Sequence, residues 1–458
     1  KLFTKISDPI SGISSWSQVG SSINGDNPSD QFGSSISLSA DGNIVAIGAP
    51  SATVNNGPGP AGKVKLFTKI SDPISGISSW SQIGQTLQGS NGDRFGQSLS
   101  LSADGNKIVI GAPYNDDTGY NFGQMKVFEN ISGYWNLSAV FNGNGWNGRM
   151  GSSVSINANG NIVASIYEYE VKVLINNSGT WNQMGNDILS SYSYGNYDFT
   201  SSISLDDSGT TIVVGNPGNG FGFADIFKFN SNSWSIDGVI PNFSSGSNTG
   251  QSVSLSNDGN TVAIGAPYSS NFGNQAGEVR LYTRISTPNI GTYTWTQKGQ
   301  SLSSNRNDSY SGYSVSIAEN GKSVAFGSPE YYYGNPGSAQ VFRFENNCAG
   351  CTDSFALNYD STMQYDDGSC IYPSGCTDPT AYNYDSTAVY NDGSCLYCDL
   401  SNNFLVNNNT SGNCNGFIVA NSSSSNSPIS YLWSNGSTQN NIIGLCAGVY
   451  SVTITDNV

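Results

Sequence analysis

The chain has 458 residues, of which 11% are charged, 12% are aromatic and 55 are glycine, and its formal net charge is −16. This acidity argues against a nucleic-acid partner, whose phosphates the protein would repel, and without a run of about 18 apolar residues we expect no membrane insertion. Ser, Thr, Tyr and Val are frequent relative to Lys, Glu and Ala, which favours strands and turns over helices.

Six copies of one unit fill the N-terminal part of the chain. In each copy, a turn glycine follows nine positions after the residue that aligns with the glycine of an FG-like dipeptide. The distance between copies varies from 49 to 63 residues. A constant core with variable connections predicts a stacked or radial repeat. The paired positions are Gly33/Gly42, Gly96/Gly105, Gly151/Gly160, Thr200/Gly209, Gly250/Gly259 and Gly312/Gly321.

The fifth unit contains four strand-like segments, at 251–256, 261–267, 278–283 and 294–302. Asp258-Gly259 predicts a two-residue hairpin between the first two segments. Four antiparallel strands per unit predict an all-β fold, a β-propeller over residues 1–347, with the FG-like strand innermost, where small Gly and Ser residues let the backbones approach the axis. One tryptophan per unit is interpreted as a packing residue between neighbouring sheets: Trp16, Trp80, Trp135, Trp181, Trp234 and Trp295.

The number of blades stays open between six and seven. Residues 1–23 supply only the outer half of a blade, and the last unit (312–344) lacks an outer strand. The last unit could complete the first half-blade, which gives six blades, or further protein upstream could complete it, which gives the favoured seven. We expect such upstream protein because residues 1–18 recur unchanged at 65–82, and further protein downstream because the chain stops inside a strand-like stretch.

The FG steps and the IGAP phrases at 47–50, 110–113 and 264–267 resemble the FG-GAP repeats of integrin-α-type propellers. The resemblance implies an extracellular unit that binds proteins or glycans through loops on one face. Members often carry a DxDxDG calcium loop between the first two strands. The hairpins here, such as SADGN and SNDGN, are too short to surround a cation, so no calcium site is predicted in the propeller.

Long aromatic loops at 114–123, 142–151, 191–197 and 330–337 fall on one predicted face of the propeller. Their aromatic side chains are suited to stacking on sugars or anchoring a protein partner. The alternative is that Tyr, Asn and Gly simply make a neutral, protease-resistant surface. The candidate ligand-binding residues are Tyr120, Trp146, Tyr194, Tyr331, Tyr332 and Tyr333.

All eight cysteines lie between 348 and 446. An even, clustered set predicts disulfides and an oxidising compartment. The alternative is a zinc site at Cys348-Ala-Gly-Cys351, which would need a second CxxC or histidines, and the chain has no histidine. Two similar segments, 351–370 and 376–395, form tandem modules within 348–398 that are too small to build a core, and their symmetry predicts the pairs Cys351–Cys370 and Cys376–Cys395.

Both modules also concentrate oxygen ligands at matching positions, together with Asn358 and Asn383. These residues predict a Ca²⁺ site in each module, or else they are turn formers. The modules resemble the CTDPxAxNY…DGSC repeats that join domains in very large surface proteins of gliding, type IX-secreting bacteria. The candidate ligands are Asp353, Asp360, Asp366, Asp367, Asp378, Asp385, Asn391 and Asp392.

Residues 399–458 form the third predicted domain. Segment 428–457 alternates apolar residues around an Asn435-Gly436 turn. It resembles the Ig-like repeats of gliding-type bacterial adhesins, which implies a partial Ig-like β-sandwich. With that resemblance, Cys414 is expected to pair with Cys446 across the sandwich. Cys348 and Cys398 then remain to bridge the ends of the tandem modules.

Without histidine, the chain can form no Ser-His-Asp set and no histidine zinc site. The acid pairs Asp116-Asp117 and Asp206-Asp207 lie at loops or turns, where carboxylates are solvated. We therefore expect no enzyme, but a segment of a large secreted cell-surface adhesin or appendage that contacts a surface protein, a glycan or copies of itself. The alternatives are a structural bead in an extracellular filament or ring, and a carbohydrate-active enzyme.

Overall fold

The computed structural model describes residues 1–7, 14–54, 57, 59–72, 78–189, 202–218, 222–286, 293–330, 337–344, 349–350, 353–354, 356–359, 365–366, 370–397, 399–408 and 413–457. The chain divides into two compact units, Lys1–Phe344 and Glu345–Val458. Among these residues, one 3-10 turn, Pro28–Asp30, interrupts an otherwise all-β architecture. No helix in the described ranges is long and apolar enough to span a membrane.

The first unit consists of antiparallel sheets, which confirms the predicted fold class. Its strands are β1 (Phe3–Ser7), β2 (Ser14–Gln18), β3 (Ser35–Leu38), β4 (Ile44–Ala49), β5 (Lys63–Ser71), β6 (Ser78–Gln82), β7 (Leu87–Gln88), β8 (Leu99–Leu101), β9 (Lys107–Ala112), β10 (Gln124–Ile131), β11 (Tyr134–Asn142), β12 (Val154–Ile156), β13 (Ile162–Tyr167), β14 (Glu170–Asn177), β15 (Thr180–Gln183), β16 (Ile188–Leu189), β17 (Ser202–Leu205), β18 (Thr211–Asn216), β19 (Phe223–Asn230), β20 (Ser233–Ile240), β21 (Ser252–Leu255), β22 (Thr261–Ala266), β23 (Glu278–Ser286), β24 (Tyr293–Gln297), β25 (Ser314–Ile317), β26 (Ser323–Ser328) and β27 (Ser338–Arg343).

Five sheets have the predicted order of four sequential strands: β3–β6, β8–β11, β12–β15, β17–β20 and β21–β24, with the short β7 and β16 added to the first and third. The first strands of successive sheets pack on one another, from β3 and β8 through to β21 and β25, so the sheets lie side by side as propeller blades. The series begins with a separate two-stranded sheet, β1–β2, and ends with a three-stranded sheet, β25–β27.

Serine hydroxyls join the first strands of neighbouring blades. Each of these strands carries a Ser-x-Ser pattern, and a backbone amide in the next blade donates to the hydroxyl of the second serine. This accounts for the small residues that the sequence places on the innermost strand. The bonds are Leu101 N to Ser37 Oγ (3.0 Å), Ile156 N to Ser100 Oγ (3.3 Å), Leu205 N to Ser155 Oγ (3.0 Å), Leu255 N to Ser204 Oγ (3.1 Å) and Ile317 N to Ser254 Oγ (3.1 Å).

Aliphatic side chains fill the space between blades. Leu99 and Leu101 of one blade pack against Ala46, Val64 and Leu66 of the blade before it, and equivalent clusters recur along the series. Five of the six predicted tryptophans lie in the outer part of these interfaces, whereas Trp16 is 53% exposed. The indoles of Trp80 and Trp234 donate to the backbone oxygens of Val19 (2.9 Å) and Met184 (2.8 Å) in the preceding sheet.

The predicted two-residue hairpin is wrong. In the fifth unit, the amide of Ser256 donates to the carbonyl of Thr261, so the loop comprises the four residues 257–260. The Asp258 carboxylate stabilises this longer loop because it accepts from Ser256 Oγ (2.6 Å) and from the Asn260 amide (3.0 Å). Gly259 lies at φ 67°, where glycine is favoured.

In the second unit, the two cysteine-rich segments share one internal geometry. Tyr372 donates to Asp353 Oδ2 at 2.7 Å, and Tyr397 donates to Asp378 Oδ2 at the same distance. Short parallel pairs complete each segment: β28 (Ala349–Gly350) with β29 (Tyr365–Asp366), and β30 (Ser374–Gly375) with β31 (Tyr390–Asn391). The predicted disulfide between Cys376 and Cys395 is confirmed; Cys370 is also disulfide-bonded, while Cys348, Cys351 and Cys398 lie outside the described residues.

Two small sheets form the C-terminal part around Ala420, Trp433, Ile442 and Leu445. Cys414 pairs with Cys446, as expected, but not across the sandwich. The bond lies beside two paired strands of one sheet, β33 (Gly416–Ser423) and β35 (Asn441–Leu445). The strands are β32 (Ser401–Asn407), β33 (Gly416–Ser423), β34 (Ser430–Trp433), β35 (Asn441–Leu445) and β36 (Val452–Thr455), paired as β32-β33-β35 and β34-β36.

Candidate functional site

Two of the predicted ligand-binding residues, Tyr120 and Trp146, stack on each other at the surface. Their ring centroids are 5.7 Å apart and the ring planes are inclined by 30°. The side chains remain 58% and 73% exposed, respectively. Tyr120 lies between β9 and β10 and Trp146 between β11 and β12, so the pair joins two loops of the second and third blades.

Backbone hydrogen bonds fix these two loops to each other. The amides of Asn147, Arg149 and Met150 donate to the carbonyls of Tyr120, Asn121 and Phe122, each at 3.0 Å. Asn121, Asn147 and Arg149 all have φ between 49° and 59°, a conformation that asparagine tolerates better than most residues. The aromatic pair is therefore presented by a defined two-loop platform.

Polar side chains border the aromatic pair. Asn121 Nδ2 and Arg149 Nε both donate to Asn147 Oδ1, at 3.1 and 3.2 Å. The guanidinium carbons of Arg149 and Arg94 lie 5.2 and 4.7 Å from the centroid of the Tyr114 ring. The surface thus combines aromatic faces with amide and guanidinium donors whose positions are fixed.

Tyr167 supports the Trp146 loop from the third blade. Its hydroxyl accepts from the Asn144 amide (3.2 Å) and donates to Glu168 Oε1 (3.1 Å). Burial raises the pKa of Tyr167 to about 12, and the hydrogen bond to Glu168 adds to the shift. The phenol therefore keeps its proton and its contact with the loop throughout the physiological pH range.

The other predicted ligand-binding residues, Tyr194, Tyr331, Tyr332 and Tyr333, lie outside the described residues. Sequence reasoning missed Asn121, Asn147 and Arg149. The signal that could have indicated them is the GWNGRMG stretch, in which small residues with unusual backbone freedom surround one tryptophan and one arginine.

The acid pairs named from the sequence have different environments. Asp116 accepts from the amide of Asn121 within the aromatic platform. Asp206 is buried and caps its own hairpin, where it accepts from the amides of Thr210 (2.8 Å) and Thr211 (2.9 Å). Burial raises the pKa of Asp207, and the charges of Glu319 and Asp206 raise it further.

The predicted calcium ligands of the second module take part in local turns. Asp378, Asp385 and Asp392 each accept from the amide two residues ahead, at 2.8–2.9 Å. Hydrogen bonds from the hydroxyls of Thr380, Thr387 and Ser394, together with those from the amides, lower the pKa of all three carboxyls. Asn391 likewise accepts from Gly393. Asp360 and Asp367 lie outside the described residues, within which no cluster of three acidic or cysteine side chains is preformed for a metal. Calcium binding therefore stays a prediction.

Comparison with known proteins identifies one family match. Residues 87–128, which run from β7 to β10, match the FG-GAP repeat. This confirms the predicted resemblance for that part of the chain, whereas no match supports the resemblances proposed for the cysteine modules and the C-terminal repeat. No curated protein matches the sequence.

Solved structures with a similar fold include two provisionally named 6-phosphogluconolactonases. The one from Bacteroides uniformis is 11% identical (TM-score 0.48; 74% of this chain and 87% of that chain covered), and the one from Bacteroides fragilis is 16% identical (TM-score 0.46; 74% and 86% covered). A protein from Lactobacillus plantarum is 9% identical (TM-score 0.46; 74% and 87% covered).

These neighbours correct the expectation that the chain is not an enzyme. Two of the matched structures carry the names of enzymes, and this finding stands against that expectation. The absence of histidine removes only the mechanisms that need histidine; carboxylate and tyrosine chemistry does not require it. At these identities the likeness transfers no catalytic residue to this chain.

Proposed function

We propose that the first unit is an extracellular recognition module of the adhesion type, and that its Tyr120–Trp146 platform contacts a glycan. The observation that carries the proposal is the exposure of two stacked aromatic rings on loops that hydrogen bonds hold in place. Singly exposed aromatic side chains are ordinary, whereas a contiguous exposed apolar patch is typical of a contact site. The FG-GAP match at residues 87–128 supports an adhesion-type role.

The chemistry around the pair favours a sugar. A pyranose presents C–H groups on one face, which suit an aromatic ring, and hydroxyls at its edge, which need amide or guanidinium partners. Asn121, Asn147 and Arg149 supply such groups beside the rings. Because these side chains are already ordered, binding loses little conformational entropy.

An extracellular location is part of the proposal. The disulfides Cys376–Cys395 and Cys414–Cys446 favour an oxidising compartment. In this arrangement the first unit is the recognition head of a larger cell-surface adhesin or appendage, of the type IX-secreted class. The cysteine modules and the Ig-like part are its spacer.

A glycan array with the 458-residue protein tests the proposal. Wild type should give defined hits that Trp146→Ala abolishes. Trp16→Ala, which removes another exposed tryptophan from β2, is the matched control and should keep the hits. Hits that survive Trp146→Ala, or a complete lack of hits together with Trp146-dependent binding to a surface protein, would contradict a glycan ligand.

Calcium binding by the cysteine modules is a separate proposal. Its support is that Asp353 and Asp378 hold corresponding positions with the same tyrosine contact in the two modules. Calorimetric titration with CaCl₂ should show saturable binding that Asp378→Asn weakens. Heat of dilution alone would contradict it.

A further inference from the structure

The first complete blade, β3–β6, has an uncovered face. Ile36 and Leu38 on β3 are 66% and 50% exposed. The corresponding residues of the next four blades, such as Leu99 and Leu101, are at most 8% exposed, because the preceding blade covers them. The side of this blade that should meet a preceding neighbour is therefore an aliphatic surface.

The last sheet, β25–β27, has the complementary uncovered face. Ala339 and Val341 on β27 occupy the places of Val64 and Leu66 on β5, as the strand registers show. Val64 and Leu66 are fully buried under the next blade, whereas Ala339 is exposed and Val341 is 45% exposed. The two uncovered faces are thus the two halves of the interface that every other pair of blades forms.

The hydrogen bonds between serine hydroxyls and amides of neighbouring blades also end at these two uncovered faces. In the five interfaces between blades, an amide of one blade meets a serine hydroxyl of the blade before it. Ser316 on β25 holds the serine position, and Leu38 on β3 holds the amide position. Within the described part of the chain, neither faces a neighbouring blade.

The β1–β2 sheet lies next to the first of these faces. Its residues have the same sequence as the third and fourth strands of the next blade, β5 and β6. Trp80 donates to the Val19 carbonyl after β2, just as Trp234 donates to the Met184 carbonyl after β15, so β1–β2 stands where the outer half of a preceding blade belongs. An inner hairpin would complete it.

We propose that the uncovered faces and β1–β2 form a binding site for a separate inner-strand hairpin of this repeat type. The occupant is a β-hairpin with a Ser-apolar-Ser-apolar first strand and an IGAP-like second strand, as in residues 95–113. Its first strand packs its aliphatic residues on Ala339 and Val341 and offers a serine to the Leu38 amide. Its second strand covers Ile36 and Leu38 and pairs with β1.

Binding of a synthetic peptide with the sequence of residues 95–113 to the 458-residue chain tests the proposal by calorimetry. Wild type should bind one peptide. Leu38→Asp and Val341→Asp, both at exposed positions that keep the fold, should each weaken the affinity at least about tenfold. Ile131→Asp, an equally exposed position on β10, is the matched control and should bind like wild type.

Three outcomes would overturn the proposal. Binding that neither Leu38→Asp nor Val341→Asp weakens would place the peptide elsewhere. If the peptide does not bind and light scattering gives the mass of a monomer, the uncovered faces of β3–β6 and β25–β27 contact each other within one chain. If the peptide does not bind and the chain is a dimer that Leu38→Asp dissociates, a second copy of the chain covers these faces.

Discussion

The backbone amide of Leu205 donates a hydrogen bond of 3.0 Å to the hydroxyl of Ser155, and this bond joins the innermost strands of two neighbouring blades. Both residues are buried. A buried amide that loses its acceptor retains its full desolvation penalty. The second serine of the Ser-x-Ser pattern therefore stabilises the contact between neighbouring blades.

Replacing Ser155 by Ala should lower the free energy of unfolding by about 1–2 kcal/mol, because the Leu205 amide is left without its acceptor. Ser316→Ala makes the same change at the corresponding position of the last sheet, where no described blade follows, and should have almost no effect. Urea unfolding followed by tryptophan fluorescence measures both. Equal decreases in the free energy of unfolding for the two variants would mean that the serine hydroxyl contributes within its own sheet and not across the interface between blades.

Asp237 links the fourth and fifth blades. Its carboxylate accepts from Arg284 Nε (2.8 Å) and Nη2 (2.7 Å) and from Trp295 Nε1 (3.0 Å). Burial alone would raise the pKa of Asp237, but the hydrogen bonds from Arg284 and Trp295 hold it below its usual value. The Asp237 carboxylate therefore stabilises the fold in full above a pH of about 3.9, the pKa of an aspartate in the unfolded chain. This stabilisation is lost as the pH falls through the lower pKa that Asp237 has in the folded protein.

Asp237→Asn should lower the unfolding free energy by about 2–3 kcal/mol at neutral pH. The difference between wild type and variant should shrink below about pH 4, as the wild-type carboxyl becomes protonated. Denaturant unfolding of both proteins at several pH values measures it. A difference that is constant down to pH 2 or so would show that charge plays no part.

The Cys376–Cys395 disulfide takes the place of a core in its module, since the bond closes a segment with a sequence separation of 19 residues. The double change Cys376→Ser and Cys395→Ser should destabilise the module by about 2–5 kcal/mol. Hydrogen exchange should then show lost protection in 374–397 and unchanged protection in the blades. Unchanged protection in 374–397 would contradict the structural role of the disulfide.

The sequence was sufficient to predict the blades because their signals are local. Alternating residues and a turn glycine at constant spacing lie within one hairpin, so each copy reports the same strands. The turn itself was mispredicted because Asp258-Gly259 resembles a two-residue turn. The deciding contacts, from Ser256 and Asn260 to the aspartate, involve side chains that propensity does not consider.

The candidate site was only partly predictable for a related reason. Tyr120 and Trp146 could each be named as exposed aromatic residues, but their stacking depends on hydrogen bonds between two loops that are far apart in the sequence. The Asp237–Arg284 pair likewise joins residues separated by 47 positions. Such pairings follow from how blades meet, which a single repeat does not encode.

Each blade is covered by the next one along the series. Two glycines at the same position of the IGAP-like motif test this packing most directly. A Cβ on Gly265 would overlap the carbonyl oxygen of Gly312, just before the first strand of the following sheet, as well as Ser252 Oγ in its own sheet. At Gly327 it would meet only Ser314 Oγ, 2.7 Å away in its own sheet. Urea unfolding should show that Gly265→Ala lowers the free energy of unfolding by about 2–3 kcal/mol and Gly327→Ala by less than about 1 kcal/mol. Equal losses for the two variants would contradict the account.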